Sequence, residues 1–358
     1  MFCHIRIHIN VFLILLLSGA TVKPALSQVI SPFNNKAVHD TLSSGNYSFI
    51  VAGHLHGASF SQSGFPAATL LANIDSINNL NALFFVSLGD LFLELNEENI
   101  LRYKKSFFDK LKISFFNVVG NHDVRHELYE KHFGKTYYSF SLGKNTFIFL
   151  DTEMDDGSIT GRQLEFFQNG INLLTGTDSI THFFIFSHRP VWAENNPRYE
   201  NLFAGNTRTL IGKNNFETDI RPVLETLAKH KNIFWCSGSL AGSPVSFFYD
   251  KDPAGITFIN TGIRDERKDG ILLVRCDNGN VSFNTISLTG QALSPLENYS
   301  LDFWKKLSGT EPPPFNYRLV PYYVKLAIAH PYFWYGVFAC FFMIAVVYGG
   351  VLAGWRKK

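Results

Sequence analysis

Five times along this chain a β-prone apolar run stops at a cluster of polar side chains, and that recurrence limits the fold more than any single motif. Tyr47–Ala52 runs into Gly53-His54-Leu55-His56-Gly57, Ala82–Leu88 into Gly89-Asp90, and Phe115–Val119 into Gly120-Asn121-His122-Asp123. His182–Phe186 runs into Ser187-His188-Arg189-Pro190, and Asn232–Cys236 into Ser237-Gly238-Ser239-Leu240-Ala241-Gly242. Helix-like stretches near 66–79, 96–111, 161–174 and 219–230 lie among these runs, and after Phe247 the pattern becomes strand-rich. Phe-rich strands such as Phe183-Phe184-Ile185-Phe186 suit sheets buried on both faces. The order predicts an α/β fold, a sandwich of two central sheets flanked by helices.

Strand exits are where open α/β sheets bind ligands. Asn offers a neutral oxygen, His a nitrogen that carries a proton near neutral pH, and Asp an acceptor able to fix the His tautomer. Each group also has a plainer use. Gly-Asn is common turn chemistry, Asp90 after a glycine suits a cap, His54 and His56 suit a hydrogen-bonded surface pair, and His188 suits packing under a loop.

Taken in order, these exits resemble the calcineurin-like metallophosphoesterase family. Its pattern is Asp-x-His, Gly-Asp, Gly-Asn-His-Asp/Glu, a lone His, then Gly-His-x-His. Gly89-Asp90, Gly120-Asn121-His122-Asp123 and His188 match, as do Tyr137-Tyr138-Ser139-Phe140, Phe147–Asp151 and the helix start Gly161-Arg162-Gln163-Leu164. The likeness covers roughly residues 45–290 and implies a metallophosphoesterase-type sandwich. It also implies two divalent ions (Mn, Zn or Fe) with Asp90 bridging, His54 and His56 serving the first, and Asn121 and His188 the second. The candidate catalytic residues are His122, as proton donor, and Asp123. The chain departs from the pattern twice: His54-Leu55-His56 replaces Asp-x-His, and Gly238-Ser239-Leu240-Ala241 replaces Gly-His-x-His, so Ser239 and Ala241 stand where His ligands are expected. Leu93 occupies a position that often carries a carboxylate or amide. Losing a carboxylate favours nitrogen-tolerant ions over Mg²⁺. The implied activity is hydrolysis of a phosphate mono- or diester. The alternative is an inactive protein of the same fold acting as a binding or scaffold module.

Both ends speak to location. Residues 1–27 have a short polar start with Arg6, the apolar Val11–Leu17 and a cleavage-like Ala25-Leu26-Ser27, the pattern of a signal peptide. A lead-in spans 28–44. A linker or juxtamembrane segment over 291–331 contains Glu311-Pro312-Pro313-Pro314, a stiff spacer. Its aromatic-basic clusters, Phe303-Trp304-Lys305-Lys306 and Tyr322-Tyr323-Val324-Lys325, rest either on lipid headgroups or on the domain. Residues 332–355 carry no charge and are long enough for a transmembrane helix, with aromatic margins and the basic tail Arg356-Lys357-Lys358 (356–358). The expectation is a single-pass membrane protein with the large domain extracytoplasmic, the tail cytoplasmic, and the lipid bilayer and a phosphate-ester substrate as partners.

A net charge of +2 gives no footprint for nucleic acid. Cys236 and Cys276 lie in apolar strand-like runs, where they either pair or remain buried thiols. Residues 191–218, with Trp192, Arg198, Tyr199 and Arg208, have little periodicity and read either as a substrate-recognition lid or as an exposed insertion.

Overall fold

The computed structural model describes residues 29–38, 46–58, 63–155, 157–200, 202–203, 214–240, 245–264, 268–307, 324, 328 and 331–355. The signal-peptide reading of 1–27, the proline spacer at 311–314, Arg208 and Ala241 lie outside these residues.

A small hairpin, β1 (Val29–Ile30) and β2 (Ala37–Val38), precedes β3 (Tyr47–Ala52), β4 (Phe84–Ser87) and β5 (Ser114–Asn117). Next come β6 (Tyr138–Leu142), β7 (Asn145–Phe149), β8 (His182–Ser187) and β9 (Asn232–Ser237), followed by β10 (Phe247–Lys251), β11 (Thr257–Thr261), β12 (Gly270–Asp277) and β13 (Asn280–Ser287). One sheet has the order β13-β12-β3-β4-β5, the other β10-β11-β9-β8-β7-β6. The pairs β3–β4, β4–β5, β7–β8, β8–β9 and β9–β11 are parallel.

Period-2 alternation explains why both faces of the five-stranded sheet are apolar. Phe49, Val51, Phe84, Val86 and Phe116 face one core, while Ile50, Ala52, Phe85 and Phe115 face another. The first core is shared with the second sheet: Phe49 meets Phe147 and Phe184 edge-on at ring-centroid distances of 5.4 and 5.1 Å. Each such buried Phe contributes about 1.5–3 kcal/mol over exposure. The second core is closed by α1 (Ala68–Ala72), α2 (Ile74–Asn78) and α3 (Glu97–Tyr103), through Leu70, Ile74, Ile77, Ile100 and Tyr103. Further along the chain, α4 (His126–Phe133) follows the Gly120–Asp123 exit. Helices α5 (Gly161–Thr175) and α6 (Arg221–Ala228) bring Phe167, Ile171, Leu224 and Leu227 into the core with Trp235. The two-sheet sandwich expected from sequence is therefore present.

Three local expectations are refined. The helix expected over 96–111 is α-helical only to Tyr103 and then loosens into a π-turn at Lys104–Phe108. The lead-in packs as a buttress: Ser31 donates its hydroxyl to the Phe115 carbonyl, and the Phe33 ring stacks on Phe133. The described part of 191–203 offers no exposed aromatics to a substrate. Trp192 and Tyr199 are wholly buried, and Arg198 is held bidentately by Asp250 at 2.7 and 2.8 Å. Cys236 and Cys276 are free buried thiols on different sheets.

After α7 (Leu301–Leu307), α8 (Pro331–Trp355) runs for 25 residues. Among the described residues no helix is long and apolar enough to cross a membrane. In α8 the surroundings of side chains are described for 333–349 only.

Candidate metal centre

Both sheets present the exits of their parallel strands on one side. There the backbone ties the loops together. His54 N–H donates to the Gly89 carbonyl (3.0 Å), His56 N–H to that of Asp90 (3.2 Å), and Gly238 N–H to that of His188 (2.9 Å). Close approach requires glycine at several of the exits, Gly120 and Gly238 among them. A Cβ on Gly120 would lie 2.1 Å from the Asp90 nitrogen, and one on Gly238 would lie 2.0 Å from the Leu88 carbonyl oxygen. His54 and Asp90 both adopt positive φ, 56° and 50°, conformations that cost side-chain-bearing residues energy and cluster at functional sites.

The Asp90 carboxylate is the centre. Its Oδ2 lies 3.3 Å from His188 Nε2, 3.5 Å from His54 Nε2 and 4.0 Å from His56 Nε2, while its Oδ1 accepts the His122 backbone N–H at 3.0 Å. Asn121 Oδ1 lies 3.2 Å from His188 Nε2. Three of the five ligands expected from sequence, His54, His56 and His188, thus surround a fourth, Asp90, and the fifth, Asn121, joins them through His188.

The imidazoles are oriented by backbone carbonyls that no sequence motif reveals. His54 Nδ1–H donates to Ile263 O (3.1 Å), and His188 Nδ1–H to Leu88 O (2.9 Å). With Nδ1 donating, each neutral ring turns its Nε2 lone pair toward Asp90. Lone pairs facing a carboxylate need a positive charge among them, either a proton or a cation. At His188 a proton serves: burial lowers its pKa, but the Asp90 and Glu153 carboxylates outweigh burial and raise it to about 9. His54 goes the other way, to about 4, because burial dominates over Asp90, and His56 falls well below its ordinary value through burial and the neighbouring His54. Burial raises the Asp90 pKa, but His188 and the other imidazoles hold it well below the usual carboxylate range.

His56 is the anomaly. Its side chain is 1% exposed, yet neither ring nitrogen has a hydrogen-bond partner among the described residues. Buried polar groups are almost always satisfied, so this ring lacks a ligand. His54, His56 and Asp90 present donor atoms within 4.8 Å of one another, a group able to hold a metal ion. Metal–nitrogen and metal–oxygen bonds of about 2.1 Å place neighbouring ligand atoms roughly 3–3.5 Å apart. Separations of 3.3–4.0 Å around Asp90 Oδ2 need only small adjustments to close on an ion.

His122 and Asp123 separate in role. The His122 ring is half-buried, packs 4.7 Å from His56 and donates Nδ1–H to Leu93 O (3.0 Å). The residue standing where a carboxylate or amide was expected therefore orients the ring through its main chain. Asp123 does not fix that tautomer. Wholly buried, it accepts backbone N–H groups from Gly120 (3.0 Å), Leu91 (3.2 Å) and Phe92 (2.9 Å), pinning the two loops together. Burial and the Asp90 charge raise its pKa to about 7 against those donors.

Around the centre lie further groups that sequence left unassigned. Glu153 holds Arg189, the residue after His188, through bonds of 2.8 and 2.7 Å. Wholly buried Asp151 meets His126 Nε2 at 3.2 Å. Ser239 is buried, its backbone N–H bound to His188 O and its carbonyl to Asn260.

No family model matches this chain, and no curated protein matches it. Among solved structures it is similar to purple acid phosphatase PPD1 from yellow lupin (Lupinus luteus) seeds, with 10% identity over 70% of this chain and a TM-score of 0.48. The chain spans about half (53%) of that phosphatase. It is also similar to a Vps29 mutant from Entamoeba histolytica (10% identity, TM-score 0.29, 67% of this chain and 98% of that one). A third similar structure is protein TM1076 from Thermotoga maritima (14% identity, TM-score 0.30, 67% of this chain and 99% of that one).

Proposed function

We propose that this protein is a metal-dependent hydrolase of phosphate esters, anchored to a membrane by its C-terminal helix with the large domain on the extracytoplasmic side. The single observation that carries the catalytic reading is His56: a fully buried imidazole with no hydrogen-bond partner among the described residues, facing the Asp90 carboxylate. The ordered series of strand-exit motifs supplies the reaction class.

Asp90, His54 and His56, together with Asn121 and His188, are the residues that would hold the metal. A divalent ion bound there supplies Lewis acidity toward a phosphoryl oxygen and lowers the pKa of water. Asp90 keeps the surrounding imidazoles in place, and its second oxygen fixes the Asn121–Asp123 turn through the His122 N–H. His122, with Nδ1 committed to Leu93 O, has Nε2 as the atom that carries a proton to the leaving oxygen. Asp123 acts by position, clamping the His122 loop to the Asp90 loop.

The anchor rests on the sequence, where residues 332–355 carry no charged side chain. Phe338, Phe341, Phe342, Ile344 and Val347 project into the surroundings at 57% exposure or more. The basic tail favours a cytoplasmic C-terminus.

Turnover of p-nitrophenyl phosphate by the purified chain, supplied in turn with Mn²⁺, Zn²⁺ and Fe²⁺, tests the reaction class. Activity that requires the ion and disappears in Asp90→Asn and His122→Ala supports it. No turnover with any ion points to a binding scaffold.

A further inference from the structure

Two cations at this centre would share a single negative charge. Resting on the metal-dependent reading above, we propose that the site holds one divalent transition-metal ion, seated on His54, His56 and Asp90, rather than the pair that the family resemblance implies.

The first observation is the distribution of unmet need. Among the described residues His56 is a ring whose two nitrogens have no hydrogen-bond partner, and it belongs to the first set. In the second set His188 Nε2 already lies 3.2 Å from Asn121 Oδ1 and 3.3 Å from Asp90 Oδ2, and Asn121 is exposed. One ion beside His56 satisfies the orphan. Among the described residues, no buried side-chain atom of Asn121 or His188 lacks a hydrogen-bond partner.

The second observation is charge. Paired ions sit roughly 3.5–4 Å apart, and their repulsion is offset by carboxylates between and around them. Here the other nearby carboxylates are committed elsewhere. Asp123 accepts three backbone N–H groups, Glu153 grips Arg189 bidentately, and Asp151 binds His126 and the Glu153 N–H. His54 stands where the family pattern has an Asp, so the first set carries one negative charge and the second adds only neutral donors. Nitrogen-rich sets of this kind suit Zn²⁺ or Mn²⁺ better than hard ions.

The third observation is the β9 exit. Ser239 is bound through its backbone to His188 O and Asn260, and Gly238 packs against Leu88. This exit serves as the floor beneath His188.

Metal content of the full-length purified chain, stripped with chelator and dialysed against Zn²⁺, distinguishes the cases without any turnover measurement. One equivalent is expected. Two equivalents filling over the same concentration range overturn the single-ion assignment and leave the hydrolase reading intact. No retained metal overturns both. His56→Gln is expected to weaken binding at least about 100-fold, beyond what loss of an outer-shell partner does, whereas the control Leu173→Ala, an exposed position on α5 away from the site, keeps its single equivalent. A His56→Gln protein that binds Zn²⁺ as tightly as wild type overturns the seat. Titration with Co²⁺, followed by its visible absorption, is expected to reach its endpoint at one equivalent, and a second spectral phase of equal amplitude contradicts the proposal.

Discussion

Replacing Gly238 with Ala is the smallest change that reaches the site without touching a ligand. An added Cβ would stand 2.0 Å from the Leu88 carbonyl oxygen and 2.7 Å from the Leu88 Cβ, where ordinary contact begins near 3.4 Å. The carbonyl must retreat by on the order of 1 Å, since backbone on both sides is tied into the loops. That carbonyl accepts the 2.9 Å bond from His188 Nδ1–H, so its retreat breaks the bond that aims Nε2 at Asp90. Overpacking costs about 1–3 kcal/mol, and a buried donor left unpaired about another 1–3 kcal/mol. Together these predict a loss of roughly 2–6 kcal/mol and a melting temperature lowered by roughly 5–15 °C. Affinity for metal is expected to fall about 10–100-fold, as when an outer-shell partner of a ligating histidine is lost. Thermal unfolding by circular dichroism and a Zn²⁺ titration measure the two effects. The control is Gly170→Ala, inside α5 and facing open space, which is expected to stabilise by about 0.5–1 kcal/mol. A Gly238→Ala protein that melts with wild type and binds Zn²⁺ equally well refutes the coupling.

Asp123→Ala leaves three buried backbone N–H groups without an acceptor and is expected to cost about 3–5 kcal/mol, with Asp123→Asn milder; a loss under about 1 kcal/mol in chemical denaturation contradicts the clamp. His126 has its pKa raised, chiefly by its bond to Asp151, with burial opposing and Glu130 and Glu153 also nearby. A raised folded pKa stabilises fully below the unfolded value of 6.5 and loses that stabilisation as pH climbs through the folded value. Wild type should therefore exceed His126→Ala most at about pH 5.5 and converge on it at alkaline pH, and a pH-independent difference counts against the pairing. Burial pushes the Cys276 thiol up to about 12 and that of Cys236 higher still, so both should resist alkylation in the folded protein and react on denaturation; rapid labelling of the native protein would contradict their placement.

Much of the fold was legible because its strands are short, Phe-rich and end abruptly. The runs beginning at Tyr47, His182 and Asn232 keep their first residues in β3, β8 and β9, and helix α5 begins at the anticipated Gly161. The five ligand candidates gather for a related reason: parallel strands in adjacent register deliver their exits to one side. What periodicity does not show is the use of main-chain atoms. The carbonyls of Leu88, Leu93 and Ile263 aim three imidazoles, and nothing about leucine or isoleucine announces this. The acidic residue of Gly-Asn-His-Asp was legible as polar chemistry but not as a clamp, because two of its three partners are amides some thirty residues away in sequence. Likewise, Trp192 and Tyr199 sit in a stretch without periodicity, yet they fill the core through local turns whose burial is set by tertiary contacts.

An anomalous-difference map from crystals grown with Zn²⁺ addresses the metal centre most directly. A peak about 2.1 Å from His56 Nε2 and bonded to Asp90 is the outcome this account requires. A map with no peak there, in which water or another protein group instead satisfies His56, would contradict it.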